Sequence, residues 1–139
     1  MRTLPTRLLS LAAMHSDRRV NEGLAGADAR KWHYAVLATL IEDGPVSQAQ
    51  LSERTGIFRS DIVAVVNELV ERGHAERAPN PADRRQNVVT VTRAGRGQFK
   101  RLDQLIAEAE DDVFGPLSAD ERAELVRMLT VLVGRHGRG

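Results

Sequence analysis

Two short stretches of the chain carry side chains suited to meeting a polyanion. The first is Arg59-Ser60-Asp61, followed by Ala64 and Asn67, at the spacing of one helix face. Arg can bond the acceptors of guanine, Asn those of adenine, and Ser a phosphate. Free backbone N–H groups at a helix start attract phosphate as well. Asp61 fits two roles, accepting from a cytosine N4 amine or facing the positive end of the helix dipole. The alternative for the whole face is ordinary solvation. The second stretch is Asp83-Arg84-Arg85. One Arg on a projecting arm can enter a narrow minor groove, with Asp83 holding its guanidinium by a bidentate bond. The alternative is a surface ion pair contributing roughly 0–1 kcal/mol. A different chemistry is open to Trp32-His33-Tyr34, the aromatic cluster of a chain with 4% aromatic residues, and to His15 upstream. Imidazole and aromatic rings lining a cleft suit a phenol or an aromatic anion. The favoured alternative is that Trp32 and Tyr34 are core or dimer residues and His33 a satisfied polar neighbour.

The elements that must position these residues follow from periodicity and punctuation. Leu4, Leu8, Leu11, Ala12 and Val20 form a helical stripe from Leu4 to about Asn21, interrupted by Gly23 and Gly26. Asp28 is placed to cap a second helix with Trp32, Val36, Leu37, Leu40 and Ile41 inward, stopped by Gly44-Pro45. Ser47-Gln48-Ala49-Gln50 reads as a capping box ahead of a short helix to about Arg54. Thr55-Gly56-Ile57 is a tight turn, and a helix from about Arg59 to Arg72 buries Ile62, Val65, Val66 and Leu69 before Gly73. The period then changes to two. Ala75–Ala78 and Val88–Thr92 read as strands, with Pro79–Asn87 as a long basic loop between them. Thr92 caps a long helix carrying Phe99, Leu102, Leu105, Ile106, Ala109 and Val113. Ser118-Ala119-Asp120-Glu121 is a second capping box, before a last helix burying Leu125, Met128, Leu129, Leu132 and Val133. The tail Arg135–Gly139 is expected to fray. Helix, tight turn, helix and hairpin make a winged helix-turn-helix. The expected class is mainly α with a small β-hairpin wing (α+β), one domain over 1–139. Residues 28–97 form the DNA-binding region, and 1–27 and 98–139 supply dimerisation helices whose stripes a second copy would cover.

Composition narrows the classes. With 139 residues, 42% apolar and 28% charged, the chain has the make-up of a globular domain. It has no cysteine, which removes disulfides, Cys-ligated zinc and thiol chemistry. The net charge of +1 hides an asymmetry. Residues 54–101 hold ten Lys/Arg against five Asp/Glu, and residues 102–139 hold four against eight. A basic middle beside an acidic end suits one surface that meets a polyanion and another that avoids it. His15, His33, His74 and His136 show no i, i+4 pair, and the run Glu108, Glu110, Asp111, Asp112 lacks the glycine of a calcium loop, so no metal and no cofactor is expected. No nucleophile-elbow, phosphate-loop or dinucleotide motif points to an enzyme. No apolar run reaches membrane length and the start at Met1–Pro5 shows no signal peptide, so a cytoplasmic protein, nucleoid-associated when bound to DNA, is expected.

The residues Val46–Gly56, Arg59-Ser60, Leu69–Gly73, Asn80–Arg85, Val91–Arg96 and Leu117–Glu121, in that order, resemble the MarR family of bacterial transcriptional regulators over about residues 30 to 133. The resemblance implies a homodimer on a pseudo-palindromic DNA site, commonly a repressor, released in many members by a small phenolic or other aromatic ligand. It implies Arg85 in the minor groove, Asp83 as its buttress with Arg84 beside it, and Arg59, Ser60 and Asn67 at groove or phosphate. Ser47 and Gln48, opening the first helix of the pair, and Asp61 join this set. It would put His15, Trp32 and His33 at the ligand cleft. Two positions depart from the family pattern: Phe58 replaces a polar helix cap, and Ala64 replaces a side chain that often meets a base. Thinner base readout and more reliance on the wing and DNA shape follow. The remaining alternatives are a winged-helix protein adaptor and a non-specific architectural DNA binder without an effector.

Overall fold

The structure is a computed structural model and describes residues 3–136, with the side chains of 135 and 136 left aside. The fraying expected of the tail falls in part on residues 137–139, outside the described residues. In chain order the elements are α1 (Pro5–Ala25), α2 (Lys31–Asp43), β1 (Val46–Ser47), α3 (Gln48–Thr55), α4 (Arg59–Glu71), β2 (Ala75–Asn80), β3 (Asp83–Val91), α5 (Arg93–Val113) and α6 (Ala119–His136). The chain is a winged helix-turn-helix, mostly helical with a three-stranded antiparallel sheet in the order β1-β3-β2. The core is built by Leu24 from α1, Val36, Leu37 and Leu40 from α2, Leu51 from α3, Ile62, Val65, Val66 and Leu69 from α4, Val89 from β3 and Leu102 from α5. Each of these side chains is almost fully removed from water, which stabilises by about 1.5–3 kcal/mol apiece.

Capping chemistry sets several of the boundaries. Ser47 Oγ accepts the Gln50 N–H at 3.1 Å while Gln50 Oε1 accepts the Ser47 N–H at 2.9 Å. Ser118 and Glu121 make the same reciprocal pair ahead of α6. Thr92 Oγ1 accepts the Gly95 N–H at 3.0 Å and donates to the Gly73 carbonyl at 2.6 Å. Two expected boundaries move. Helix α1 runs through Gly23 and ends at Gly26. Asp28 does not cap α2; it takes a left-handed φ of 52° with its side chain in water. The start of α2 is capped instead by His33, whose Nδ1 accepts the Arg30 N–H at 2.9 Å.

The burial of α2 also differs from its apolar pattern. Trp32 is 40% exposed, whereas His33 one residue on is 2% exposed. Successive helical residues point about 100° apart, so the three aromatic neighbours diverge. Tyr34 turns to α5, stacks on Phe99 at 5.1 Å and donates to Asp103 at 2.8 Å; burial first and then that carboxylate push its phenol up to about 12. His33 turns to α4. Its Nε2 lies 2.6 Å from Glu68 Oε2, and Arg30 donates to both oxygens of the same carboxylate. Since Nδ1 accepts, the proton sits on Nε2 and is donated to Glu68.

The terminal helices leave their apolar residues uncovered. Leu8, Leu9 and Met14 of α1 are about half exposed, and α6 packs extensively against no other element. Met128, Leu132 and Val133, read from the sequence as buried, stand in water at 44%, 52% and 67% exposure, because this chain alone offers them no facing surface.

Two expectations follow for stability. Burial drives the His33 imidazole below its ordinary range, against the pull of Glu68, and the Glu68 carboxyl is held below the usual carboxylate range by the His33 N–H and then by Arg30. The unfolded chain therefore binds protons first at both groups. Stability should be level above about pH 6.5, the free imidazole value, and fall as pH drops below it. Denaturant midpoints from pH 8 to pH 5 check this, and a His33→Gln variant should flatten the slope; an unchanged slope would show that His33 does not carry it. Separately, a Cβ at Gly95 would lie 2.0 Å from the His74 carbonyl oxygen. Gly95→Ala should destabilise by at least about 1–3 kcal/mol, read in a thermal or urea melt.

Candidate nucleic-acid interface

The helix-turn-helix is held by its turn. Gly56 adopts φ 75°, which glycine takes without strain. Ser52 Oγ donates to the Ile57 carbonyl at 2.5 Å, and the Ile57 N–H reaches Thr55 Oγ1 at 3.3 Å. These bonds orient α4 against α3 through the buried Leu51, Ile57 and Ile62. Phe58 precedes α4 and provides no side-chain cap; it is 78% exposed. The first-turn N–H groups of α4 therefore have no side-chain cap from that position.

On α4 the side away from the buried stripe presents Arg59, Ser60, Val63, Ala64 and Asn67, all exposed. Val63, at 41% exposure, escaped the sequence reading because an apolar residue amid Ile62, Val65 and Val66 looks like core. Its position four residues after Arg59 and four before Asn67 was the available signal. An exposed methyl pair there suits contact with a thymine methyl group. Asp61 is half-buried and borders Trp32, Gly56 and Phe58 on the side of α2, in the first turn of α4.

The wing is longer in strand and shorter in turn than its composition suggests. Strands β2 and β3 pair from Ala75↔Val91 to Pro79↔Asn87, and then the register jumps to Asn80↔Asp83. The turn is only Pro81-Ala82, fixed by the Ala82 N–H on Asn80 Oδ1 at 2.9 Å. The jump leaves Arg84, Arg85 and Gln86 on β3 without a ladder partner on β2. Pro79 stands at the break, where its missing N–H could not have served the ladder. The bulge therefore puts the two arginines out in solvent. The Arg85 side chain is 91% exposed, with Nε 3.3 Å from Asp83 Oδ1. The same oxygen accepts the Arg85 backbone N–H at 3.1 Å. Asp83 thus engages Arg85 through one oxygen, rather than by the bidentate fork expected.

Helices and wing enclose a cleft of about 230 Å³ lined by Ser47, Gln48, Ala49, Arg59, Val63, Arg85, Gln86 and Asn87. It brings Arg59 of α4, Arg85 of the wing and the start of α3 to one concave surface. Ser47 is 8% exposed and its Oγ serves the cap. Gln48 and Asn67 both accept hydrogen bonds from Arg77 of β2, a residue the sequence reading did not single out. Arg84, Ser60 and Asp83 lie outside the walls of this cleft.

Trp32 lines two other depressions. One, of about 390 Å³, is shared with Asn21, Ala25, Ala29, Arg30 and Lys31. The other, of about 370 Å³, lies toward the turn beside Phe58 and Asp61. Neither is lined by His15, which is exposed on α1, or by His33, whose ring nitrogens are both engaged. Among the described residues no group of three or more His, Asp or Glu is placed to hold a metal, and no helix is long and apolar enough to cross a membrane.

Comparison with known proteins agrees with this geometry. A MarR family model matches residues 25–86. The multiple antibiotic resistance protein MarR of Escherichia coli is 27% identical over 124 residues, covering 88% of this chain and 86% of the relative. The HTH-type transcriptional repressor NicR of Pseudomonas putida is 27% identical over 100 residues, covering 72% of this chain and 63% of its own. The chain spans under two thirds of the length of several such curated relatives. Among solved structures, apo wild-type MarR from E. coli superposes with a TM-score of 0.83 at 25% identity, covering 96% of this chain and 98% of that one. A mutant MarR complexed with operator DNA superposes at 0.80 with 26% identity, covering 92% of each chain. Sequence and fold are both similar to those of MarR-family proteins along nearly the whole length.

Proposed function

We propose that this chain is a sequence-specific DNA-binding transcriptional regulator, a repressor, that works as a homodimer. The observation that carries the reading is the cleft in which Arg59, Gln48 and Arg85 arrive from three different elements on one concave surface. Helix α4 lies in a major groove, with Arg59 toward guanine acceptors, Ser60 toward phosphate and Asn67 toward a base edge. The wing enters the flanking minor groove through Arg85, with Arg84 beside it and Asp83 restraining the guanidinium. Asp61 faces away from this cleft and serves the dipole of α4. Support comes from the MarR relative solved with operator DNA and from the relative named as a repressor.

Residues 1–27 and 98–139 form the dimerisation region and 28–97 the DNA-binding region. The uncovered apolar side chains of α1 and α6 are the reason: Leu8, Met14, Val131 and Val133 are each half exposed or more in the single chain. A two-fold dimer sets two α4 helices about one DNA turn apart and selects a pseudo-palindrome. An aromatic anion is the effector this surface suits, at Trp32. The Arg30 guanidinium stands 5.8 Å from that ring and also bonds Glu68 of α4. A carboxylate taking Arg30 would compete with Glu68 and so reach the recognition helix. His15 and His33 stand outside this Trp32 site.

Selection of genomic fragments by the purified chain, with its mass measured in solution, tests the reading. A dimer enriching a short pseudo-palindrome is the expected result. The Arg84→Ala/Arg85→Ala double variant should lose affinity by on the order of 100-fold or more. Log affinity should fall linearly with log salt, by about 0.9 per phosphate neutralised. A flat salt response, or undiminished binding by the double variant, would overturn the groove-and-wing mode.

A further inference from the structure

Arg77 lies on β2 at the base of the wing, and its guanidinium is divided between the two helices of the reading surface. Nε donates to Gln48 Oε1 of α3 at 2.9 Å, and Nη2 donates to Asn67 Oδ1 of α4 at 2.7 Å. A guanidinium carries only donors, so each amide must turn its oxygen toward it. That requirement fixes the orientation of both amides. Each keeps its NH₂ as the group free for a further partner, and an amide whose oxygen already accepts is a stronger donor through polarisation.

The distinction matters for base recognition. Asn or Gln reads adenine by using both ends, the oxygen on the N6 amine and the NH₂ on N7. Guanine offers N7 and O6, and thymine offers O4, all of them acceptors. An amide with its oxygen pinned to a cation matches the acceptor edges better than the mixed edge. We propose that Arg77 is a specificity-determining positioning residue: by holding the oxygens of Gln48 and Asn67, it presents both side chains as donors and steers recognition at their positions toward guanine or thymine and away from adenine. The inference rests on the reading that α4 occupies a major groove.

The test begins with the site that the wild-type chain selects. Affinity is measured for that site with each base in turn at every position, for the wild type, Asn67→Ala, Gln48→Ala, Arg77→Met and Arg77→Gln. Positions that lose their preference in Asn67→Ala or Gln48→Ala are those the amides read. At these positions the wild type should disfavour adenine, and in Arg77→Met the affinity for adenine relative to guanine should rise about tenfold. Arg77→Gln, which supplies an acceptor and keeps a polar group at the wing base, should relax the preference in the same direction even if the Met variant folds poorly. In an Asn67→Ala/Gln48→Ala background, Arg77→Met should change no base preference. A purely structural role would instead weaken binding to all sequences alike. A wild-type preference for adenine at the amide positions, or a uniform loss in the variants, overturns this inference alone. Selection of no sequence by the wild type overturns the regulator reading and this inference with it.

Discussion

One carbonyl oxygen, that of His74, joins the two parts of this molecule. It accepts the Thr92 N–H at 3.1 Å, and the Cα of Gly95 packs against it with no room for a side chain. Thr92 Oγ1 meanwhile donates to the neighbouring Gly73 carbonyl and accepts the Gly95 N–H. The end of α4, the start of β2, the end of β3 and the start of α5 therefore meet within a few residues. Helix α5 lies along α1 and α2 and buries Leu102 in the common core. The angle at which α4 and the wing stand to the rest of the chain is set at this junction, because close-packed interiors leave little freedom to tilt.

A second tie, of a different kind, joins α2 to α4. Glu68 takes the His33 Nε2–H from within the core and the Arg30 guanidinium from the surface. The buried imidazole is satisfied at both nitrogens, so it imposes an orientation on α4 with no unpaired polar group left behind. Helix α4 is thus fixed at its C-terminal half by Glu68, at its N-terminal end by the Ser52 and Thr55 hydroxyls of the turn, and on its outer face by Arg77. Such restraint suits the DNA-reading role proposed for α4 and the wing.

Local chemistry was legible in the sequence wherever a residue acts on neighbours three or four positions away. The boxes at Ser47 and Ser118, the Thr92 cap, the Gly56 turn and the buried stripe of α4 all stand where their patterns put them. The sequence misled where a distant partner decides. Asp28 has the type of a cap, yet His33 caps α2, because its ring was already drawn inward by Glu68, 35 positions on. Trp32 has the type of a core residue, yet helical geometry gives the inward direction to its neighbour. The basic loop concealed a bulge, since a register jump depends on which β2 residues lack a donor. Arg77 was invisible as a brace between α3 and α4, its partners standing 29 and 10 positions away. The family resemblance located the wing and the paired helices, and it had no means of locating that brace.

Strand β1 is two residues long, and both pair with β3: Val46 with Val89, and Ser47 with Val88. Ser47 is also the cap of α3 and a wall of the cleft. Three structural duties on adjoining backbone atoms leave no slack in chain length. A residue gained or lost between Val46 and Gln48 would invert the face of one strand, strip a helix of its cap and shift the cleft together. At Pro81-Ala82, by contrast, the chain reverses beyond the last paired residues, Asn80 and Asp83, outside the core and the cleft. The root of the wing therefore admits change only residue for residue, a tighter limit on chain length than the tip carries.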